Sequence, residues 1–128
     1  MNYTLEMEAR NGCLFAVARG ERTIDNISAI AEEILSECLR SDTVDVFLDL
    51  RQLTGRLDVS DSIQVIIREF PRIGLFQTLN RVAVLESEER DERSQFFERA
   101  AQARGYNIRM FEDQAKANDW ITEKTLPV

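Results

Sequence analysis

The sequence predicts an α/β domain with a mixed, mostly parallel sheet of five strands, opened by a β-hairpin and flanked by about four helices. The N-terminal segment alternates between apolar and polar residues on both sides of a turn signal. Further along, two short apolar runs at 44–50 and 81–85 lie between segments of helical periodicity. Strands joined by helices pair in parallel through right-handed crossovers. With 128 residues, the chain fits one domain over 1–128.

The predicted hairpin begins with residues 2–8, where Tyr3, Leu5 and Met7 alternate with polar residues. Such alternation is typical of a half-buried strand. Asn11-Gly12 follows, and both residues tolerate the positive φ of a type I′ turn. We therefore expect residues 13–19 to form the returning strand.

The first predicted helix starts after Thr23, whose hydroxyl can cap it. From Ile24 to Leu39, apolar residues recur in steps of three and four, which places them on one helical face. Residues 44–50 then form a central strand, because their nearly continuous apolar character suits burial on both sides. A loop over 51–57 is expected next.

A second helix is expected after this loop, with Asp58 or Ser60 as its N-cap. Pro71 should end or kink it at Phe70, since proline clashes with the preceding turn. Residues 73–80 read as a connector. The predicted inner face of this helix consists of Val59, Ile63, Ile66, Ile67 and Phe70.

The C-terminal part predicts a strand over 81–85, a helix over 88–104 and a strand over 106–111. Gly105 stands where a left-handed helix cap is needed. Asp113 can cap a short last helix that turns Trp120 and Ile121 inward. We expect 122–128 to be a frayed tail.

Composition excludes several classes of function. The formal net charge is −7, which disfavours nucleic acid as a partner, and no apolar run is long enough to span a membrane. The chain has no histidine, which removes Ser-His and Cys-His catalytic pairs. Its two cysteines form no CxxC motif. We predict a cytoplasmic protein without a cofactor.

Acidic residues follow two of the predicted strands and begin the helix after the first of them. Asp49 lies near the carboxyl end of a central strand, where α/β folds place function. We expect its carboxylate to bond backbone amides of the following loop. The alternative is a Mg²⁺ or Ca²⁺ site, and its oxygen ligands would come from Asp49, Asp58, Asp61, Glu86 and Glu88.

An apolar cluster surrounds the proline and the glycine that follow the second helix. If exposed, this cluster would form a dimer face or the mouth of a ligand site; if buried, it closes the core. We expect burial with partial exposure. The candidate apolar ligand or dimer surface consists of Val65, Phe70, Ile73, Leu75 and Phe76.

The runs 46–50, 81–85 and 109–113 occur in an order that resembles the SpoIIAA-like fold of STAS domains and anti-sigma-factor antagonists, including an uncharacterised STAS/SEC14-like branch. The resemblance implies a regulatory protein in which a serine opening the second helix is phosphorylated by a partner kinase. In this chain the corresponding residues are Asp58-Val59-Ser60-Asp61. Asp58 and Ser60 match the motif in kind, whereas Val59 and Asp61 do not. The Asp61 carboxylate would repel a phosphate on Ser60.

Three hypotheses about function follow. The first is a non-enzymatic interaction module that binds a protein partner, or a second copy, through 53–70. The second is a small apolar-ligand or lipid-binding module, as the SEC14-like side of the resemblance implies. The third is an enzyme that uses carboxylates at the strand ends. The candidate interaction residues are Asp49, Asp58, Ser60, Asp61 and Ile63.

Overall fold

The computed structural model describes residues 2–87 and 92–123. Its strands are β1 (Tyr3–Arg10), β2 (Cys13–Glu21), β3 (Asp45–Thr54), β4 (Arg81–Leu85) and β5 (Ile108–Phe111). Its helices are α1 (Ile24–Ser41), α2 (Val59–Gln64), α3 (Phe70–Ile73), α4 (Leu75–Thr78), α5 (Glu92–Ala103) and α6 (Gln114–Thr122). A π-helical turn, Val65–Glu69, joins α2 to α3.

The sheet has the order β1-β2-β3-β4-β5, with β1 antiparallel to β2 and the other pairs parallel. The predicted fold class is therefore confirmed. β3 runs four residues beyond the predicted end, because residues 52–54 continue to pair with β2. The expected loop is correspondingly shorter.

Two apolar layers enclose the sheet, because neighbouring residues of a strand point to opposite faces. Leu14, Val46 and Val84 face the main core, which α1 and the α2–α5 helices cover. Phe47 and Leu85 face the second layer, which α6 covers. None of the helices in the described part of the chain is long and apolar enough to cross a membrane.

Local capping signals place most helix ends where the sequence predicts them. The Thr23 hydroxyl accepts from the amide of Asn26, and the Asp113 carboxylate accepts from the amides of Ala115 and Lys116. Gly105 has the expected positive φ, 81°. Leu39, which the periodicity places on the inner face of α1, is 65% exposed. Of the predicted tail over 122–128, the residues beyond Glu123 lie outside the described part of the chain.

Pro71 was predicted to end or kink the helix at Phe70; the chain does not end there but crosses the proline on a helical path, after a π-turn. The amide of Phe70 donates to the carbonyl of Val65, five residues earlier, so the turn before the proline is widened. Pro71 then lies in the first turn of α3, where its missing N–H is harmless. Gly74 separates α3 from α4 in a left-handed conformation, and the predicted connector is thus partly helical.

Gly20 allows β1 to approach the end of β2. It has a φ of +134°, and a Cβ there would lie 2.3 Å from the carbonyl oxygen of Asn2. We expect Gly20→Ala to lower the free energy of unfolding by about 2 kcal/mol or more, because strain and a backbone clash add. Urea denaturation measures this change.

Gly12→Ala is the matched control. Gly12 also has a positive φ, +77°, but apart from Gly12 and its two chain neighbours no heavy atom of the described chain lies within 4 Å of the position that a Cβ would take there. This variant should lose only the left-handed backbone strain, about 1 kcal/mol. Equal losses in the two variants would contradict the importance of the close approach.

Candidate functional site at the carboxyl ends of the strands

A buried ion pair joins the carboxyl ends of two strands that are not neighbours. Arg22 follows β2 and Glu86 follows β4, and β3 lies between them. The two guanidinium Nη atoms of Arg22 donate to Oε1 and Oε2 of Glu86 at 2.7 and 2.9 Å. Their side chains are 7% and 1% exposed. We call this contact the Arg22–Glu86 pair.

Backbone contacts hold both members of the pair in place. The amide of Arg22 donates to the carbonyl of Thr54 at 2.8 Å, at the end of β3. The amide of Glu86 donates to the carbonyl of Phe111 at 2.8 Å, at the end of β5. The position of the pair is therefore fixed by the backbone at the ends of β2, β3, β4 and β5.

The pair leaves one polar atom of Arg22 unsatisfied. Its Nε is buried and has no hydrogen-bond acceptor among the residues that the structure describes. A buried donor without a partner costs about 1–3 kcal/mol. This cost offsets part of the stabilisation that the pair provides.

A second arginine lies close to the same edge of the sheet. Arg56, in the loop after β3, donates through Nη2 to the hydroxyl of Ser87 at 3.1 Å and through Nη1 to the carbonyl of Gly55 at 3.1 Å. It is half-buried. Two guanidinium groups therefore lie at this end of the sheet, and Glu86 neutralises one of them.

An apolar cavity of about 80 Å³ lies behind these arginines, between the sheet and the helices, and is partly open to solvent. Ser62 and Ser94 contribute hydroxyl groups to its wall, and Arg22, Arg56 and Arg93 also line it. We call it the core cavity. Its apolar wall includes Ile30, Ala31, Ile34, Val46, Leu48, Val84 and Phe97.

The predicted apolar cluster divides between the core and the walls of two hollows. Val65, Phe70 and Leu75 are buried, so in this conformation they offer no surface to a second copy. Ile73 and Phe76 are partly buried against the core. Phe70, Leu75 and Phe76 line the core cavity, and Phe70 and Phe76 also line a shallower, more polar hollow of about 280 Å³.

The orientation of α2 differs from the prediction in a way that changes the candidate surface. Its buried residues, with those of the π-turn, are Ser62, Val65 and Ile66, and Phe70 continues this face. The prediction of Ile66 and Phe70 as inner residues is confirmed. Val59, Ile63 and Ile67 instead face outward and are 47%, 42% and 47% exposed. We call these three residues the α2 stripe.

The start of α2 assigns separate roles to the acidic and hydroxyl residues. Asp58 is the N-cap, because its carboxylate accepts from the amide of Asp61 at 2.7 Å. Ser60 therefore does not cap the helix and lies exposed in the first turn. Asp61 is half-buried beside it.

Asp49 is held by the residue two positions further along β3. Its Oδ1 accepts from the backbone amide of Arg51 at 3.0 Å, and its Oδ2 accepts from the Arg51 guanidinium at 2.8 Å. Burial acts to raise the pKa of the Asp49 carboxyl, but the hydrogen bonds from Arg51 outweigh it. The pKa therefore lies below its ordinary value, and the carboxylate is ionised at neutral pH.

The acidic residues do not form the hypothetical metal site within the described ranges, where no three Asp, Glu or Cys side chains come close enough to hold an ion. Asp49 contacts Arg51, Asp58 caps α2, and Glu86 binds Arg22. Glu88 lies outside the described residues.

Sequence reasoning missed Arg22, Arg56 and Ser62. Arg22 follows a predicted strand, as Glu86 does, and the carboxyl ends of parallel strands meet at one edge. The positions of Arg22 and Glu86 after predicted strands could therefore have indicated that the two side chains lie at the same edge of the sheet. Ser62 carries no such signal, because a serine among apolar helix positions looks like a surface residue.

Breaking the Arg22–Glu86 pair should be costly. We expect Arg22→Met to lower the free energy of unfolding by about 3–5 kcal/mol, because it leaves the Glu86 carboxylate buried without a counter-charge. The double variant Arg22→Met, Glu86→Leu should recover most of the loss. Urea denaturation of both variants tests this, and a double variant less stable than the single one would contradict it.

The exposed pair of Arg19 and Glu6, 3.4 Å apart, provides the control. Arg19→Met removes the same type of contact at a solvated position. It should cost less than about 1 kcal/mol.

Asp49 should make the free energy of unfolding depend on pH in the acidic range. Its folded-state pKa is lowered, so its contribution is complete above the unfolded-state value of about 3.9 and is lost as the pH falls below that value. The stability difference between wild type and Asp49→Asn should therefore shrink between neutral pH and about pH 3. Urea denaturation at both pH values measures it, and a constant difference would count against this assignment.

Related proteins are recognised by structure and not by sequence: no family model and no curated protein sequence matches the chain. An anti-sigma factor antagonist from Mycobacterium paratuberculosis superposes with a TM-score of 0.57 at 12% identity, over 94% of this chain and 95% of that one. An uncharacterised DUF3478 protein with a SpoIIAA-like fold from Shewanella loihica gives 0.56 at 19% identity, over 94% and 93%. The chain therefore has the SpoIIAA-like fold that its sequence pattern resembles.

Proposed function

We propose that this chain is a non-enzymatic regulatory module that binds a different protein through the α2 stripe. The observation that carries the proposal is the exposure of Val59, Ile63 and Ile67, spaced four residues apart along one side of α2 and the π-turn. Exposed apolar residues that form a continuous row mark interaction sites more often than isolated ones do.

The α2 stripe is not part of the row that this segment buries against the core. The same helical segment already buries Ser62, Val65, Ile66 and Phe70 against the core. Val59, Ile63 and Ile67, on the neighbouring side of the segment, keep 47%, 42% and 47% of their surface exposed to solvent. A partner that covers them would remove this surface from water, at about 25 cal/mol for each Å².

Polar residues frame one end of the stripe, as expected at the rim of an interface. Asp58 and Ser60 are exposed and Asp61 is half-buried at the start of α2. We include these residues, with Ile63, in the proposed contact surface. Asp49 lies within the sheet and engages Arg51, so its role in the proposal is to fix the end of β3.

One of the structurally similar proteins supports the choice of a protein as the partner. The Mycobacterium structure is called an anti-sigma factor antagonist, a name that describes action on another protein. Phosphorylation of Ser60 is not part of our proposal. A phosphate there would face the Asp61 carboxylate next in the chain and the Asp58 carboxylate at the N-cap.

The carboxylates near the strand ends also favour a non-enzymatic role. Asp49 and Glu86 are each engaged by an arginine instead of converging on a shared cleft. We further propose a cytoplasmic location, because Cys13 and Cys38 are free and buried. Burial raises the pKa of the Cys13 thiol to about 11, which suits a packing role.

An aspartate in the stripe should weaken binding of the partner. We expect Ile63→Asp to weaken binding of the partner at least about tenfold, because the new charge is desolvated in the interface. The partner is first captured from the native host by crosslinking and then purified. Isothermal titration calorimetry with the purified pair measures the change.

Leu39→Asp is the matched control, since Leu39 is 65% exposed but lies on α1. It should bind like wild type. Equal affinities of all three proteins would overturn the proposal for this surface. If Ile63→Asp changes only self-association in light scattering, the occupant is a second copy of the chain and the proposal of a different partner is wrong.

A further inference from the structure

We propose that the core cavity binds a small neutral apolar molecule of about five to eight non-hydrogen atoms, such as a single hydrocarbon ring, above the centre of the sheet. This site is separate from the α2 stripe and does not rest on the proposed partner. The argument combines a gap between two helices, the chemistry of the cavity wall and the volume of the cavity.

The core cavity lies in a gap in the helical layer. Helix α1 packs over β2, and helix α5 packs over β5. The central strands β3 and β4 run between them, and Val46, Leu48 and Val84 of these strands line the cavity. The sheet therefore forms the floor of the cavity, and residues of α1 and α5 form its sides.

Leu48 shows that this gap leaves apolar surface uncovered. In the register of the sheet it lies between Ala16 of β2 and Val84 of β4. These two neighbours are 1% and 2% exposed, whereas Leu48 is only partly buried. A ligand above Leu48 would remove its remaining apolar surface from water, at about 25 cal/mol for each Å².

The arginines of the lining do not select a charged ligand. Both terminal nitrogens of Arg22 donate to Glu86, and Arg56 donates to Ser87. Arg93 also has an interaction of its own. A charged ligand would lose its hydration on entering the cavity, while these guanidinium groups are already engaged. The site therefore favours a neutral molecule.

Hydrocarbon side chains supply most of the residues that surround the cavity. They come from α1, from the central strands and from the helices that follow β3, so an apolar ligand would meet apolar groups on every side. The α1 and helical members of this wall are Ile27, Ile30, Ala31, Ile34, Phe70, Leu75, Phe76 and Phe97.

The volume limits the size of the ligand. The core cavity measures about 80 Å³. A single water molecule needs about 10–15 Å³ of such space, so the cavity has room for about five to eight non-hydrogen atoms. Sites for drug-sized ligands have about 300–1,000 Å³. A small ring fits the core cavity, whereas a long acyl chain exceeds it.

Toluene tests the proposal with the full-length protein, because its size falls within the expected range. It is titrated while methyl NMR spectra are recorded, and butylbenzene is titrated in parallel as a larger neutral molecule. We expect toluene to bind saturably and to shift the methyl signals of Leu48 and Ala31. Butylbenzene should bind at least about tenfold more weakly, because it would have to displace the wall. The absence of saturable toluene binding would overturn the site.

Benzoate and benzylamine test the preference for a neutral ligand. Both carry the ring of toluene, but at neutral pH the first is an anion and the second a cation. Each should bind at least about tenfold more weakly than toluene, because its charged group loses hydration in the cavity. Benzoate or benzylamine that binds as tightly as toluene would contradict the neutral class of ligand.

Two substitutions at Leu48 locate the site. Leu48→Phe fills the cavity and should weaken toluene binding at least about tenfold, and Ala31→Leu fills the same space if that variant fails to fold. Leu48→Ala enlarges the cavity and should strengthen butylbenzene binding. Leu39→Asp, at a position that is 65% exposed on α1, should bind toluene like wild type. Undiminished toluene binding by the filling variants would place the ligand elsewhere and contradict the proposal.

Discussion

The Arg22–Glu86 pair sets the constraint on which this end of the molecule depends. A guanidinium and a carboxylate buried this deeply are tolerated only when each satisfies the other, because the desolvation of a lone charge costs several kcal/mol. The pair bridges the ends of β2 and β4 across β3, and its backbone amides reach the ends of β3 and β5. The ends of all four parallel strands must therefore be correctly placed for the pair and its backbone hydrogen bonds to form together. This requirement favours one register of the sheet over its alternatives.

The same pair shapes the space beneath the helices. Its polar atoms occupy the edge of the main core, and the loop after β3 carries Arg56 over that edge. Helix α2 then starts at Asp58 and turns Ser62 toward the cavity. With Ser62 inside, the neighbouring row Val59, Ile63 and Ile67 must lie outside, because residues four apart share a side of the helix. The core cavity and the α2 stripe are therefore two consequences of one helix orientation.

Local chemistry made most of the fold predictable. The Asn11-Gly12 turn, the Thr23 and Asp113 caps and the left-handed Gly105 are each specified within a few residues of sequence. The parallel order of the strands followed from helix-linked apolar runs. These signals need no knowledge of distant contacts, which explains why the architecture was correct while the site was incomplete.

The site depended on information that is not local. Arg22 and Glu86 are 64 positions apart, and no periodicity links them. Helix α2 presented two rows at four-residue spacing, 59/63/67 and 62/66/70, and the predicted inner face took residues from both rows. Burial instead follows the row that contains Ser62. The π-turn before Pro71 was not predicted either, because no pattern in the sequence marks it.

Side-chain hydrogen bonds connect the π-turn, which continues α2, to α1. Glu69, the last residue of the π-turn, accepts from the hydroxyl of Ser28 at 2.7 Å and from Arg72 at 2.9 Å. The cavity wall formed by α1 and the helix that carries the stripe are therefore linked by a direct hydrogen-bond network.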